Sequence, residues 1–99
     1  MKVAAYQCPL LPSGSMGAID LIRRQVKVCE SGGISILCGP EAVLGGLADD
    51  ARSPDEFAIE AGRGRLGAVL SSLASDSVTT IVGFTEATAE GHLYNAAAV

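Results

Sequence analysis

The chain has 99 residues, a net charge of −4 and an apolar fraction of 48%, which describes one small domain with a genuine core and argues against disorder. Its seven basic residues are scattered, with only Arg23-Arg24 and Arg63-x-Arg65 close together, so no concentrated basic face is expected and nucleic acid is excluded as a partner. No apolar run approaches the ~20 residues of a membrane span, and the amino terminus shows no basic region followed by an apolar stretch.

The core must be built from Ala, Val, Ile and Leu, because only four residues are aromatic and none is Trp. Cys8, Cys29 and Cys38 form an odd set without CxxC spacing. That pattern predicts reduced thiols in a cytoplasmic protein, with neither a disulfide framework nor a zinc site.

Lys2 to Cys8 reads as a first strand, stopped by Pro9 and followed by a loop containing Pro12, Ser13, Gly14 and Ser15. A helix is predicted from about Met16 to Glu30. Ile19, Ile22, Val26 and Cys29 share one face, and Asp20, Arg23, Arg24 and Lys27 take the other. Gly32-Gly33 supplies its C-cap. Ile34 to Cys38 is short, apolar and β-branched, a buried strand that runs directly into Gly39-Pro40-Glu41.

A second helix is predicted from Ser53. Ser53 is its N-cap, Pro54 occupies the first helical position and Glu56 completes a capping box. Leu66, Val69, Leu70 and Leu73 carry its buried stripe, with a bend or break near Gly62. Val78 to Phe84 is a third strand, Ala89-Glu90-Gly91 a turn, and Leu93 to Val99 a fourth strand that closes an antiparallel hairpin. The order strand, helix, strand, helix, strand, strand predicts an α/β architecture, mostly parallel, with an antiparallel edge.

Ligands of parallel α/β sheets bind outside the carboxyl ends of the strands. The first strand delivers Gln7 and Cys8 to that rim, the second Pro40-Glu41, and the third Thr85-Glu86. Glu41 follows an apolar strand and precedes Ala42-Val43-Leu44. Desolvation in such a setting suits a carboxylate to general-base work, whereas a solvated loop position would leave it without a role. Cys38 lies three residues before Glu41, a spacing that sends two side chains to opposite faces of an extended strand. Cys38 and Cys29 therefore read as apolar fillers. Cys8, at a strand end, is the better candidate for a reactive thiol.

Gly62 to Gly67 fits GxGxxG literally but lacks the strand that must precede a dinucleotide loop. Asp49-Asp50 has no nearby set of oxygen ligands, and His92 reads as a surface residue beside a turn. No metal or cofactor is expected.

The segment Ile36-Leu37-Cys38-Gly39-Pro40-Glu41-Ala42-Val43-Leu44-Gly45-Gly46-Leu47 resembles the strand-end Pro-Glu motif of the nitrilase superfamily of carbon–nitrogen hydrolases. Val3 to Pro9 resembles that family's first strand, Ile81 to Glu86 its third, and Leu93-Tyr94-Asn95-Ala96-Ala97-Ala98-Val99 its Tyr-Asn strand. The four segments stand in the family order.

The resemblance implies the front β-α-β-α-β-β portion of an α-β-β-α sandwich, roughly the first third of such a domain. It assigns Glu41 as general base of a Glu-Lys-Cys triad acting on a small amide or nitrile. Asn95 becomes a support of the site, although turn chemistry at a strand start explains it equally well. Glu86 is a weaker pocket candidate. The family's Lys and nucleophilic Cys lie beyond the matched segments, so the 99 residues are expected to be inactive alone and to form a homo-oligomer. Two other functions remain open: a non-catalytic assembly or binding module on the same fold, and a flavodoxin-like nucleotide binder.

Overall fold

The computed structural model describes residues 1–12, 14–45 and 56–99. It contains strand β1 (Val3–Ala5), helix α1 (Ala18–Gly32), strand β2 (Ile36–Cys38), a short helix α2 (Arg65–Leu70), strand β3 (Thr79–Ala87) and strand β4 (Leu93–Ala98). Turns of 3-10 helix lie at Ala61–Arg63 and Ser71–Leu73. The four strands form one sheet in the order β1-β2-β3-β4. β1 and β2 pair parallel, as do β2 and β3, and β3 pairs antiparallel with β4. The mixed α/β sheet with an antiparallel edge is thus as expected.

Helix α1 forms because its apolar positions repeat at helical spacing. Ala18, Ile22, Val26 and Cys29 are buried along one stripe. Ile19, expected on that stripe, is only half-buried, and Ala18 takes the deepest place at the start of the helix. The helix begins two residues later than expected, after Gly17. It ends where the glycines require, with Gly33 left-handed at φ 68° and its N–H donated to the Cys29 carbonyl.

The stripe covers one face of the sheet, where Leu37, Val82 and Phe84 are buried with Leu44, Ile59, Leu73 and Val78. Each large side chain removed from water there contributes about 2 kcal/mol. The other face carries Val3, Ala5, Ile36, Cys38, Ile81 and Ala97, all exposed or half-buried. The described helices therefore lie on a single side.

Two expectations need correction. β1 and β2 are shorter than their apolar segments, because regular pairing spans only Val3–Ala5 and Ile36–Cys38. The second helix does not run on from Glu56. Ser53, Pro54 and Asp55 lie outside the described residues, but Phe57 is buried and Ile59 forms a parallel bridge with Glu86. The Ile59 N–H donates to the Thr85 carbonyl at 2.8 Å and the Ala87 N–H donates to the Ile59 carbonyl at 3.0 Å. Pairing with β3 claims this stretch, and helix begins only at Arg65, after Gly64 at φ 73°.

Candidate functional site

The site is built where β2 leaves the sheet. The Gly39 N–H donates to the Ile81 carbonyl at 2.8 Å, and the next bond in the series joins the Leu44 N–H to the Gly83 carbonyl at 3.1 Å. Five residues of chain separate those two donors, while only two separate their acceptors on β3. Pro40 to Val43 must therefore arch away from the sheet. Ala42 closes the arch at φ 44°, the one positive φ outside glycine among the described residues. A left-handed alanine costs about 1–2 kcal/mol, which the surrounding packing has to overcome.

Gly83 lies directly beneath. A Cβ at that position would stand 2.6 Å from the Ala42 nitrogen, 2.7 Å from the Pro40 oxygen and 3.0 Å from the Glu41 Cα. No side chain fits, so the arch rests on bare backbone. A glycine inside a β-branched strand is a recognised sign of close backbone approach. It is the signal that could have singled out Gly83 in the sequence, where it was passed over.

The arch carries Glu41 over the uncovered face of the sheet. On β4, Asn95 sits opposite Thr85 and so points to that same face. Its Nδ2 donates to Glu41 Oε1 at 2.5 Å, across 54 residues of sequence. Two of the candidate residues are thereby joined. Both are exposed, so the expected desolvation of Glu41 among apolar neighbours does not occur in this chain. The contact overlooks an open depression of about 320 Å³ lined by Gly39, Pro40, Glu41, Ile81, Gly83 and Asn95, together with Ala96 and Ala97.

Glu86 is not part of this arrangement. It stands opposite Tyr94, one residue out of phase with Thr85 and Asn95, and therefore shares the core face with Phe84 and Val82. It lines a separate depression of about 300 Å³ with Glu60, Ala87 and Thr88.

The thiols divide differently from expectation in one respect. Cys29 is buried filler at 3% exposure. Cys38 is half-buried and pairs in register with Ile81, on the same sheet face as Asn95. The parity argument that set Cys38 opposite Glu41 fails because the chain turns at Gly39. Cys38 nevertheless does not line the depression at Glu41 and Asn95. Cys8 and Glu41 line a different cavity of about 190 Å³, with Leu10, Leu11, Pro40 and Val43. Burial pushes the Cys8 thiol above its ordinary value, and the hydrogen bond with Tyr6 offsets this only in part. A raised thiol is a poorer source of thiolate at neutral pH. Burial likewise raises the Tyr6 phenol, with Cys8 adding to the effect.

Among the described residues no group of His, Cys, Asp and Glu could hold a metal ion, and no helix is long and apolar enough to cross a membrane. Asp49 and Asp50 lie outside those residues, as do Gly46 and Leu47 of the Pro-Glu segment. The Gly62–Gly67 run begins inside the 3-10 turn Ala61–Arg63 and continues into a helix of six residues, preceded by the isolated bridge at Ile59 and not by the strand that a phosphate-binding loop requires. His92 is exposed beside the β3–β4 turn. Comparison with protein-family models, with curated proteins and with solved structures gave no match for the chain.

Proposed function

We propose that Glu41 is the general-base carboxylate of a nitrilase-like carbon–nitrogen hydrolase acting on a small amide or nitrile, and that these 99 residues supply the front part of its α-β-β-α sandwich. The observation that carries the reading is the 2.5 Å hydrogen bond from Asn95 to Glu41. The Pro-Glu and Tyr-Asn segments belong to the same resemblance, and their two polar residues meet at one carboxylate. Gly83 adds support, because it holds the Glu41 backbone at a fixed height over the sheet. The uncovered sheet face is the surface on which a second sheet of such a sandwich would lie.

In this reading Glu41 takes the proton of a cysteine thiol as the thiolate adds to the carbon of the amide or nitrile. A lysine ammonium stabilises the negative charge that develops. With an amide, Glu41 then returns the proton to departing ammonia and activates the water that releases the acid from the acyl-type intermediate; with a nitrile, a first water adds to the thioimidate before ammonia departs, and a second water releases the acid. Among the matched segments only Glu41 has a counterpart in the triad, so the 99-residue chain should release no ammonia from simple amides or nitriles.

Its base can still be tested without a nucleophile. A nitrobenzisoxazole opens its ring when one base removes one proton. The chain should accelerate that opening only several-fold over free acetate at equal concentration, because the exposed carboxylate gains from placement and not from desolvation. Glu41→Gln should abolish the acceleration and Asn95→Ala should reduce it. Equal rates for the chain and for Glu41→Gln would remove the reading.

A second reading, an assembly module on the same fold, is favoured by one specific observation: among the described residues no strand pairs with the outer edge of β4.

A further inference from the structure

Among the described residues, β4 pairs with β3 on one side and is the last strand of the sheet on the other. A strand so placed presents a row of backbone N–H and C=O groups that another strand can satisfy. Edge strands are usually protected by charge, proline, a bulge or short length. β4 has none of these. Its six residues carry no charge and no proline, and its register with β3 runs unbroken from Leu93 opposite Ala87 to Ala98 opposite Val82. The opposite edge differs: β1 has three residues, with Lys2 before it and Pro9 after.

Side-chain size along β4 is graded. Leu93 and Tyr94 stand at one end, 40% and 53% exposed, and Ala96, Ala97 and Ala98 follow toward the other. Two copies of such a strand in antiparallel pairing bring large against small at both ends. A two-fold axis perpendicular to the sheet also requires facing residues to share a sheet face. The register that uses the whole strand then centres on Ala96. It sets Tyr94 against Ala98, Asn95 against Ala97 and Leu93 against Val99.

A second observation lies at the Ala98 end. A cleft of about 460 Å³ opens there, lined by Leu70, Leu73, Val78, Thr80, Ala98 and Val99 among others, none of them charged. Thr80 Oγ1 is buried without a hydrogen-bond partner, the one such side-chain atom among the described residues. Thr80, Val82 and Ala98 share a face of the sheet with Tyr94. A tyrosine arriving over Ala98 offers its ring to the apolar wall and its hydroxyl to the Thr80 end, the combination such a side chain satisfies best.

We propose that the chain forms a two-fold dimer in which the β4 strands of two copies pair antiparallel about Ala96, and Tyr94 of each copy seats in the cleft beside Ala98 of the other. Two copies of net charge −4 meet where neither strand nor cleft carries charge. The helices of both copies lie on one side of a continuous eight-stranded sheet, and both Glu41 residues face the other. The dimer does not depend on the role of Glu41.

The test is sedimentation of the 99-residue chain across a wide concentration range, with circular dichroism to establish that each variant is folded. The wild-type chain should form a discrete dimer. Tyr94→Ala, which empties the cleft, should weaken it roughly 30-fold or more. Ala98→Tyr, which sets tyrosine against tyrosine, should also leave a monomer. An equimolar mixture of these two variants should recover a dimer, now mixed, because each tyrosine again faces an alanine. A monomeric wild type, open-ended aggregation, a dimer indifferent to Tyr94→Ala, or folded variants that fail to recombine would each overturn the proposal. If Ala98→Tyr does not fold, Ala97→Pro, which removes an N–H from the outer edge of β4, should abolish the dimer instead, and a dimer that survives it refutes the pairing.

Discussion

Replacement of Gly83 by alanine puts a methyl group 2.6 Å from the Ala42 nitrogen and 2.7 Å from the Pro40 oxygen, against about 3.4 Å for ordinary contact. The shortfall is therefore 0.7–0.8 Å, and both obstructing atoms are backbone, which cannot rotate away. Two responses are open: the arch from Pro40 to Val43 lifts, or β3 moves down into the core at Val82 and Phe84. Forced overpacking of this kind costs about 1–3 kcal/mol. The left-handed Ala42 gives the arch little slack, which favours the upper part of that range. Gly62→Ala is the control, because a Cβ there meets nothing within 4 Å. It should be neutral or stabilise by a few tenths of a kcal/mol. The assay is the urea midpoint at unchanged m-value, read beside the side-chain amide resonances of Asn95. Gly83→Ala should lower the midpoint and shift those resonances as Glu41 moves away. A loss below about 0.5 kcal/mol with the Asn95 amide unmoved would refute the claim that Gly83 supports the arch.

Leu37→Ala should cost about 2–5 kcal/mol in the same urea assay, since Leu37 is 2% exposed beneath α1. Glu30 should give the acid limb of stability. The Ser75 hydroxyl at 2.7 Å and the Lys27 ammonium at 3.1 Å hold its carboxyl below the ordinary 4.5. A depressed folded value means that its stabilisation is complete above the unfolded value and is lost as pH falls through the folded one. Ser75→Ala should therefore shrink the drop in thermal midpoint between pH 5 and pH 2, roughly the carboxylate range, and an unchanged acid limb would count against the contact.

Much of the sheet was legible because its strands are short apolar runs punctuated by Pro and Gly. Val3–Ala5, Ile36–Cys38 and Leu93–Ala98 fall inside the expected segments, whereas β3 runs three residues past the expected Phe84, to Ala87. α1 was legible from the spacing of Ile22, Val26 and Cys29. The second helix misled because Ser53-Pro54 and Glu56 follow the local grammar of a helix start, while Phe57 is buried and Ile59 is taken by pairing with β3. Their two-residue spacing, apolar-small-apolar, was the competing signal. Glu41 and Asn95 could be named from sequence, but not the contact between them, which depends on how far the chain arches after Gly39. Glu86 stands apart from Glu41 for a simpler reason: nearness to a strand end does not fix which face a side chain takes, and in β3 the parity runs from Thr85.

That parity gives the Asn95–Glu41 contact a further significance. The β3–β4 hairpin could slip by one residue at small cost along its alanines, since Ala96, Ala97 and Ala98 are nearly interchangeable in shape. A slip would swing Asn95 to the helical side and break its bond to Glu41, at a cost of about 0.5–1.5 kcal/mol. The bond to Glu41 rewards only the native alignment. A polar pair on the surface thus helps to fix the alignment of a strand whose run of three alanines specifies it only weakly.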